Sequence, residues 1–218
     1  MCAIIGFESD NATEQDLRAL KRAMIASRIR GKHASGIAWF NGEKICCEKQ
    51  PLPIDRFLQN FDLHKIVYAG KVKMIAHARY STSDLKYNQP IVSDSEEMAI
   101  AHNGVVTQET PENWETIFGY KCETKNDSEL LLQAIQNQDN VFEKFPSASI
   151  AMLILNKNGV KAIRNGKRPL WCGKLGAGTL TCSTFDILIR AGVEVVSIRK
   201  YEAIGSDLQM RFLNENKC

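Results

Sequence analysis

The sequence has 218 residues, 24% of them charged and 44% hydrophobic, with a formal net charge of +3. A chain of this length and balance can bury the core of one sizeable soluble domain, and so small a net charge does not predict a nucleic-acid partner. No apolar run approaches the roughly 20 residues of a membrane span, and no basic then hydrophobic signal opens the chain. We therefore expect a single cytoplasmic domain over 1–218 without a membrane partner.

The cysteines predict reduced thiols and no metal site. Their number is odd, none forms a CxxC pair, and adjacent Cys46 and Cys47 would point to opposite faces of a strand. No cofactor is expected either. The seven cysteines are Cys2, Cys46, Cys47, Cys122, Cys172, Cys182 and Cys218.

The first elements alternate between strand and helix. An apolar run predicts a strand over 3–7, and Thr13 followed by Asp16 is typical of a capping box that begins a helix. Asn41-Gly42 between apolar segments predicts a hairpin with a type I′ turn. A short helix is predicted over 54–61.

The middle of the chain continues this mixture. Strands are predicted over 74–78 and 98–102, and a short helix over 112–118 that ends at Gly119. Asp127 is placed to cap the helix that follows it, which presents apolar residues at helical spacing.

The last third indicates antiparallel strands. They are predicted to join at Asn158-Gly159 and at Asn165-Gly166, and a final helix over 185–191 ends at Gly192. The glycine cluster GKLGAG between two strands is typical of a turn. Hairpin strands with helices between them predict an α+β layered domain.

Cys2, in MCAIIGF, has two interpretations. Free cysteine is often buried, so it can be one more core residue of the first strand. If Met1 is removed, however, Cys2 gains a free α-amine with a pKa of about 7.7–8.0, which can take the proton of a thiol with a pKa of about 8.5. Nucleophile and general base would then lie in one residue.

AHNGVV contains a candidate oxyanion hole. Asn103 offers a side-chain amide and Gly104 an unobstructed backbone N–H, the donors that a nucleophilic attack on an amide carbonyl needs. Asn-Gly between apolar segments is also the commonest hairpin turn, so a turn is the alternative.

Two charged residues are candidate substrate anchors. Arg79, after an apolar strand, can hold a carboxylate with its planar guanidinium, and Asp127 can hold an ammonium group. Together with a thiol nucleophile, these anchors fit an amino acid that carries an amide at its far end.

Six motifs occur in an order that resembles the glutaminase domain of class II glutamine amidotransferases, and most closely the glutaminase half of the amidophosphoribosyltransferases. The match covers roughly Cys2 to Ile189. The motifs are MCAIIGF, RGKHASGI, ARYSTSD with NQP, IAHNGVV, NDSELLL and NGKRPLWCG.

The resemblance implies a four-layer αββα sandwich of the N-terminal-nucleophile type that hydrolyses L-glutamine to glutamate and ammonia. Cys2 would be the nucleophile, with Asn103 and Gly104 as the oxyanion hole. The remaining roles implied by position are substrate binding for Arg79, Thr82 and Asp127, and ordering of the site for Arg30.

Three positions depart from the family pattern: Ala3 where glycine is usual, His33 where an acidic residue is common, and Ser83 after the RYST motif. Acceptor-domain motifs are not found among these residues, so we expect ammonia to pass to a separate synthetase or transferase. A hydrolase of another γ-glutamyl amide, or a catalytically silent glutamine-binding or scaffold protein, remains an alternative.

Overall fold

The computed structural model describes residues 2–81, 87–197 and 203–204. Its strands in chain order are β1 (Ala3–Ser9), β2 (Ala34–Phe40), β3 (Ile45–Gln50), β4 (Val67–Tyr68), β5 (Lys71–Arg79), β6 (Ile91–Val92), β7 (Met98–His102), β8 (Ala151–Asn156), β9 (Gly159–Arg164), β10 (Trp171–Leu175), β11 (Gly178–Cys182), β12 (Val196–Ser197) and β13 (Ala203–Ile204). Its α-helices are α1 (Glu14–Ser27), α2 (Ile54–Asn60), α3 (Trp114–Phe118), α4 (Glu129–Gln136), α5 (Val141–Lys144) and α6 (Phe185–Ala191). Short 3₁₀ turns span Leu63–Ile66 and Pro111–Asn113.

Two antiparallel sheets form within the described ranges. The first has the order β12-β10-β11-β1-β5-β2-β3, with β4 also paired to β5, and the second has the order β13-β9-β8-β7-β6. In the first sheet Ala3 lies opposite Ala78, so Cys2 comes next to the end of β5, where Arg79 lies. Both sheets are antiparallel and helices lie between their strands in sequence, so the α+β prediction is confirmed as a mixed α/β fold.

The apolar side chains of each sheet divide between its two faces. In β1, Ile5 and Phe7 pack with the cluster that includes α1, α2 and α6, whereas Ile4 belongs to a cluster shared by both sheets. In β7, Ile100 packs with the cluster of α3, α4 and α5, whereas Ala101 joins the shared cluster. Both β1 and β7 are therefore buried on both faces, as their nearly continuous apolar sequences require.

The start of α1 forms as its sequence predicts. Thr13 Oγ1 accepts from the backbone N–H of Asp16 at 3.2 Å, and Asp16 Oδ2 accepts from the backbone N–H of Thr13 at 2.9 Å. Leu17, Leu20 and Met24 are buried against the first sheet. The capping box and the apolar face of this helix are confirmed.

Most other predicted elements are found within a few residues of their expected bounds. The predicted strands over 3–7, 74–78 and 98–102 lie within β1, β5 and β7. The helices end as predicted, α3 at Gly119 and α6 at Gly192, both in the left-handed conformation. Within the described ranges, no helix is long and apolar enough to cross a membrane.

The predicted β2–β3 hairpin is confirmed, but two predicted turns are wrong. The β2–β3 connection contains four residues, not two, because Asn41 Oδ1 accepts from the backbone N–H groups of Glu43 and Lys44 at 3.0 and 2.9 Å. Asn165-Gly166 does not join a hairpin, since β9 and β10 lie in different sheets. The Asn165 side chain instead binds the backbone of the segment before β8, as donor to the Ala148 carbonyl at 2.8 Å.

Candidate active site

Cys2 lies at the start of β1, where two other segments contact it. Its Sγ is 3.8 Å from the carbonyl oxygen of Tyr80, and Arg30 Nε donates to the Cys2 carbonyl at 3.0 Å. The segment that carries Arg30 is pressed against β5, because a Cβ at Gly31 would lie 2.1 Å from the Ala78 carbonyl oxygen. Only glycine fits there, and the close approach brings Arg30 to the first residues of β1.

Arg30 is a partly buried cation beside the candidate nucleophile. Burial lowers the pKa of Arg30, and the negative charge of Asp186 opposes that shift. The guanidinium nevertheless stays charged, since arginine does not deprotonate in proteins. A fixed positive charge therefore holds the backbone of Cys2 in place.

Three of the other cysteines have raised pKa values. Burial raises the pKa of Cys47 to about 11 and that of Cys122 to about 12, and it also raises the pKa of Cys182. Because the thiolate is the nucleophilic form, these three thiols are poor nucleophiles at neutral pH. Cys2, directly before the interior strand β1, is only partly buried.

Ala3 does not add its methyl group to the site. Its side chain is fully buried in the cluster that packs the first sheet against α1 and α6. Successive side chains of a strand point to opposite faces. The departure from the usual glycine at this position is therefore accommodated by the core.

Asn103 follows β7 and carries an unused donor. The residue is 4% exposed, and its Nδ2 has no hydrogen-bond partner among the described residues. Its backbone N–H continues the ladder to β8 by donating to the Ala151 carbonyl at 2.9 Å. An unpaired buried amide is costly, which makes this donor a candidate contact for a ligand.

Gly104 is required by a close backbone contact. A Cβ there would lie 1.7 Å from the Ser149 carbonyl oxygen and 2.6 Å from His102 Nε2. The following residue, Val105, forms a bridge with Ser149, so Asn103-Gly104 does not connect two paired strands. The alternative interpretation as a hairpin turn is wrong.

A buried side-chain network holds this loop. Gln89 Oε1 accepts from the His102 backbone N–H at 2.6 Å, and Gln89 Nε2 donates to Ser128 Oγ at 3.1 Å. His102 Nδ1 lies 2.8 Å from Ser128 Oγ, and Nε2 lies 3.0 Å from the Ser149 carbonyl oxygen. A carbonyl can only accept, so Nε2 carries the proton and Nδ1 accepts from the Ser128 hydroxyl.

His102 is therefore neutral in this network, and burial lowers its pKa. Sequence reasoning assigned no role to Gln89, His102, Ser128 or Ser149. Gln89, His102 and Ser128 lie within the motifs NQP, AHNG and NDS. These motifs gave no indication of the contacts that the three side chains make.

Arg79 is placed close to the segment that contains Asp127. Arg79 is 8% exposed, and its Nη1 donates to the Tyr87 carbonyl at 2.7 Å. Asn126 Nδ2 donates to the same carbonyl oxygen at 2.9 Å. One carbonyl thus joins the two segments that carry the predicted anchors.

Asp127 does not cap α4, and that prediction is wrong. The N-cap of the helix is Ser128, and the Asp127 carboxylate instead accepts from the Val106 backbone N–H through Oδ2 at 2.6 Å. This contact fixes the loop that follows Gly104 to the start of α4. The predicted site residue Thr82 and the departing residue Ser83 lie outside the described residues.

These contacts link segments that carry the described candidate site residues. Cys2 contacts the Tyr80 carbonyl, Arg79 and Asn126 both donate to the Tyr87 carbonyl, and Asp127 accepts from Val106 in the loop after Gly104. A thiol, an unpaired amide donor, a guanidinium and a carboxylate can together bind an amino acid and attack its side-chain amide.

No family model matches the chain. The amidophosphoribosyltransferase of Synechocystis sp. (strain ATCC 27184 / PCC 6803 / Kazusa) is 29% identical over 172 residues, which are 70% of this chain and 34% of that protein. The glutamine–fructose-6-phosphate aminotransferase (isomerizing) of Streptococcus pyogenes serotype M6 (strain ATCC BAA-946 / MGAS10394) is 25% identical over 222 residues, which are 94% of this chain and 35% of that protein. The chain thus spans about a third of the length of these curated relatives.

Solved structures have the same fold. The glutamine phosphoribosylpyrophosphate amidotransferase from B. subtilis, complexed with ADP and GMP, has a TM-score of 0.72 at 20% identity, covering 96% of this chain and 50% of that chain. A structure of the allosteric regulatory enzyme of purine biosynthesis has a TM-score of 0.73 at 23% identity, covering 93% and 46%. A glutamine aminotransferase class-II domain protein from Silicibacter pomeroyi has a TM-score of 0.57 at 11% identity, covering 94% and 95%.

The last of these structures places a similar fold in a chain of about this length. The relatives and structural neighbours are class II glutamine amidotransferase domains, from amidophosphoribosyltransferase and glutamine–fructose-6-phosphate aminotransferase among others, and the resemblance that the sequence motifs predict is confirmed.

Proposed function

We propose that this chain hydrolyses L-glutamine to glutamate and ammonia, with Cys2 as an N-terminal nucleophile after removal of Met1. The observation that carries the proposal is the buried, unpartnered Nδ2 of Asn103 beside Gly104. A buried amide donor without a partner in the described residues is what an oxyanion hole presents before substrate binds.

The proposed reaction has two steps. The α-amine of Cys2 takes the thiol proton, and Sγ attacks the δ-carboxamide carbon of glutamine. The oxyanion is held by Asn103 Nδ2–H and Gly104 N–H, and its collapse breaks the C–N bond as the amine returns the proton to the leaving ammonia. Water then attacks the thioester, which releases glutamate and restores the thiol.

The anchors give the reaction its specificity. In this proposal Arg79 holds the α-carboxylate of glutamine, Asp127 holds the α-ammonium group, and Thr82 lines the same pocket. The convergence of Arg79 and Asn126 on the Tyr87 carbonyl supports the first two assignments, because it brings the segments of both anchors together. Arg30 orders the nucleophile through the Cys2 carbonyl.

We also propose a four-layer αββα sandwich, an ammonia-accepting partner on a separate chain and a cytoplasmic location. Apolar clusters between the sheets and on the outer face of each sheet support the layered arrangement. The curated relatives are about three times as long as the matched region, which leaves room in them for the acceptor reaction.

The test is the release of ammonia and glutamate from L-glutamine by the purified protein, with and without candidate acceptor proteins. Equal amounts of both products are expected, with turnover lost in Cys2→Ala at an unchanged melting temperature. No turnover of glutamine under any of these conditions, or undiminished turnover by Cys2→Ala, would contradict the proposal. If the protein prefers another γ-glutamyl amide to glutamine, that amide would be its substrate.

A further inference from the structure

His33 binds three consecutive residues at the end of β5. Its backbone N–H donates to the Arg79 carbonyl at 3.0 Å, and its ring centroid lies 4.7 Å from that of Tyr80. Its Nδ1 accepts from the backbone N–H of Ser81 at 2.9 Å. This one residue therefore contacts a backbone carbonyl, a side-chain ring and a backbone N–H in succession.

These residues need such support because they lie at the end of the sheet. β5 ends at Arg79, so Tyr80 and Ser81 are beyond the ladder, and Tyr80 is 45% exposed. Yet the Tyr80 carbonyl is 3.8 Å from Cys2 Sγ, and Arg79 is the proposed carboxylate anchor. A displacement here would move both the anchor and a neighbour of the nucleophile.

We infer that His33 is a positioning residue that fixes the Arg79–Ser81 segment for glutamine binding, an inference that rests on the proposed function. The imidazole acts as an acceptor, so Nδ1 must be unprotonated and the proton must lie on Nε2. The same side chain thus supplies both an acceptor for the Ser81 backbone N–H and a ring that packs against Tyr80.

Two substitutions separate the acceptor from the ring. His33→Asn keeps an acceptor atom at the δ1 position, whereas His33→Phe keeps a ring against Tyr80 and removes the acceptor. We expect His33→Phe to raise KM for glutamine about 3–10-fold, the effect of one neutral hydrogen bond, with kcat changed less than twofold. We expect His33→Asn to keep KM within about twofold of the wild-type value.

A second readout does not depend on activity. The Ser81 amide should exchange its hydrogen several-fold faster in His33→Phe than in the wild type, and NMR should find the His33 proton on Nε2 in the wild type. Unchanged Ser81 exchange and unchanged KM in His33→Phe, or equal impairment in His33→Asn, would overturn the role of His33. Absence of glutamine turnover by the wild-type protein would instead count against the proposed function, and the exchange data would still decide on His33.

Discussion

The two sides of the candidate site are held in different ways. On the oxyanion side, His102 and Asn103 are 2% and 4% exposed, and the Ser128 hydroxyl and the Ser149 backbone carbonyl satisfy the two ring nitrogens of His102. On the anchor side, the segment after Arg79 leaves the sheet and carries Tyr80, which is 45% exposed. The oxyanion side is fixed from within the fold, whereas the anchor side is held by contacts at its surface.

In the proposed function, the oxyanion side carries out the chemistry and the anchor side recognises the substrate. Donors for a developing charge are most effective when they need no rearrangement during the reaction, and a buried network provides that rigidity. An anchor segment at the surface can admit a substrate and close over it. Changes on the oxyanion side should therefore reduce kcat or stability, whereas changes on the anchor side should affect substrate selection and KM.

The largest effect is expected from the anchor side, when its ligand is changed. Glutamine analogues that lack the α-carboxylate or the α-ammonium group should lose roughly 10⁴-fold in kcat/KM, since each lacks the charged group that Arg79 or Asp127 is proposed to bind. Arg79→Lys should also be impaired, because an ammonium group cannot replace a planar two-pronged donor. Steady-state kinetics measure both, and undiminished turnover of the analogue without a carboxylate would refute the assignment of Arg79.

The next largest effect is expected on the oxyanion side. Asn103→Ala should lower kcat by roughly 10²–10³-fold, the usual effect of removing one oxyanion donor. KM should change far less, because the interaction strengthens only as charge develops. Thermal unfolding of the same variant is the control. If Asn103→Ala simply unfolds, or if it lowers affinity for glutamine with kcat unchanged, Asn103 is not an oxyanion donor.

The side-chain network around His102 can be disrupted by removing one hydroxyl group, that of Ser128. Ser128→Ala leaves His102 Nδ1 and Gln89 Nε2 without their buried partner, so the free energy of unfolding should fall by about 1–3 kcal/mol. Ser128 makes no side-chain cap bond to α4, so loss of a cap does not contribute. Ser95→Ala, at an exposed serine, is the matched control and should change stability by less than about 0.5 kcal/mol. Equal effects in chemical denaturation would contradict the network's importance.

The last comparison concerns pH and the buried residue His77. His77 is 1% exposed, and burial together with the charge of Arg79 lowers its pKa to about 3. Between that value and about 6.5, the unfolded chain binds a proton that the folded chain does not, so stability falls as pH falls.

His77 therefore contributes a slope of about 1.4 kcal/mol per pH unit over this range and no slope above it. His77→Leu should remove that part of the slope, while His102 keeps its own. Denaturation curves collected from pH 7 to pH 4 test this, and an identical slope in both proteins would be inconsistent with a neutral, buried His77.

Local patterns predicted the elements that depend on neighbouring residues. The capping box of Thr13 and Asp16, the apolar run of β1 and the ends of α3 and α6 all arise within a few residues of sequence. The motifs also predicted a set of site residues, whose roles stay predictions, and one of them, Thr82, lies outside the described part of the chain.

Contacts between distant segments could not be predicted in this way. The Asp127 carboxylate binds the backbone 21 residues earlier, and Asn165 binds the segment before β8, so neither residue has the local role that its sequence neighbours indicate. Asn and Asp side chains bind any suitable backbone group that the fold presents. The network of Gln89 and Ser128 around His102 likewise exists only once three segments have met.

The central claim is that Cys2 acts as nucleophile with its own free α-amine as the base. Intact-mass measurement on purified protein, made alongside its glutaminase activity, tests this most directly. We predict that activity follows the fraction of molecules that lack Met1, and that a variant with an uncleavable residue before Cys2 folds normally but does not turn over glutamine. Full activity in protein that uniformly retains Met1 would contradict the account.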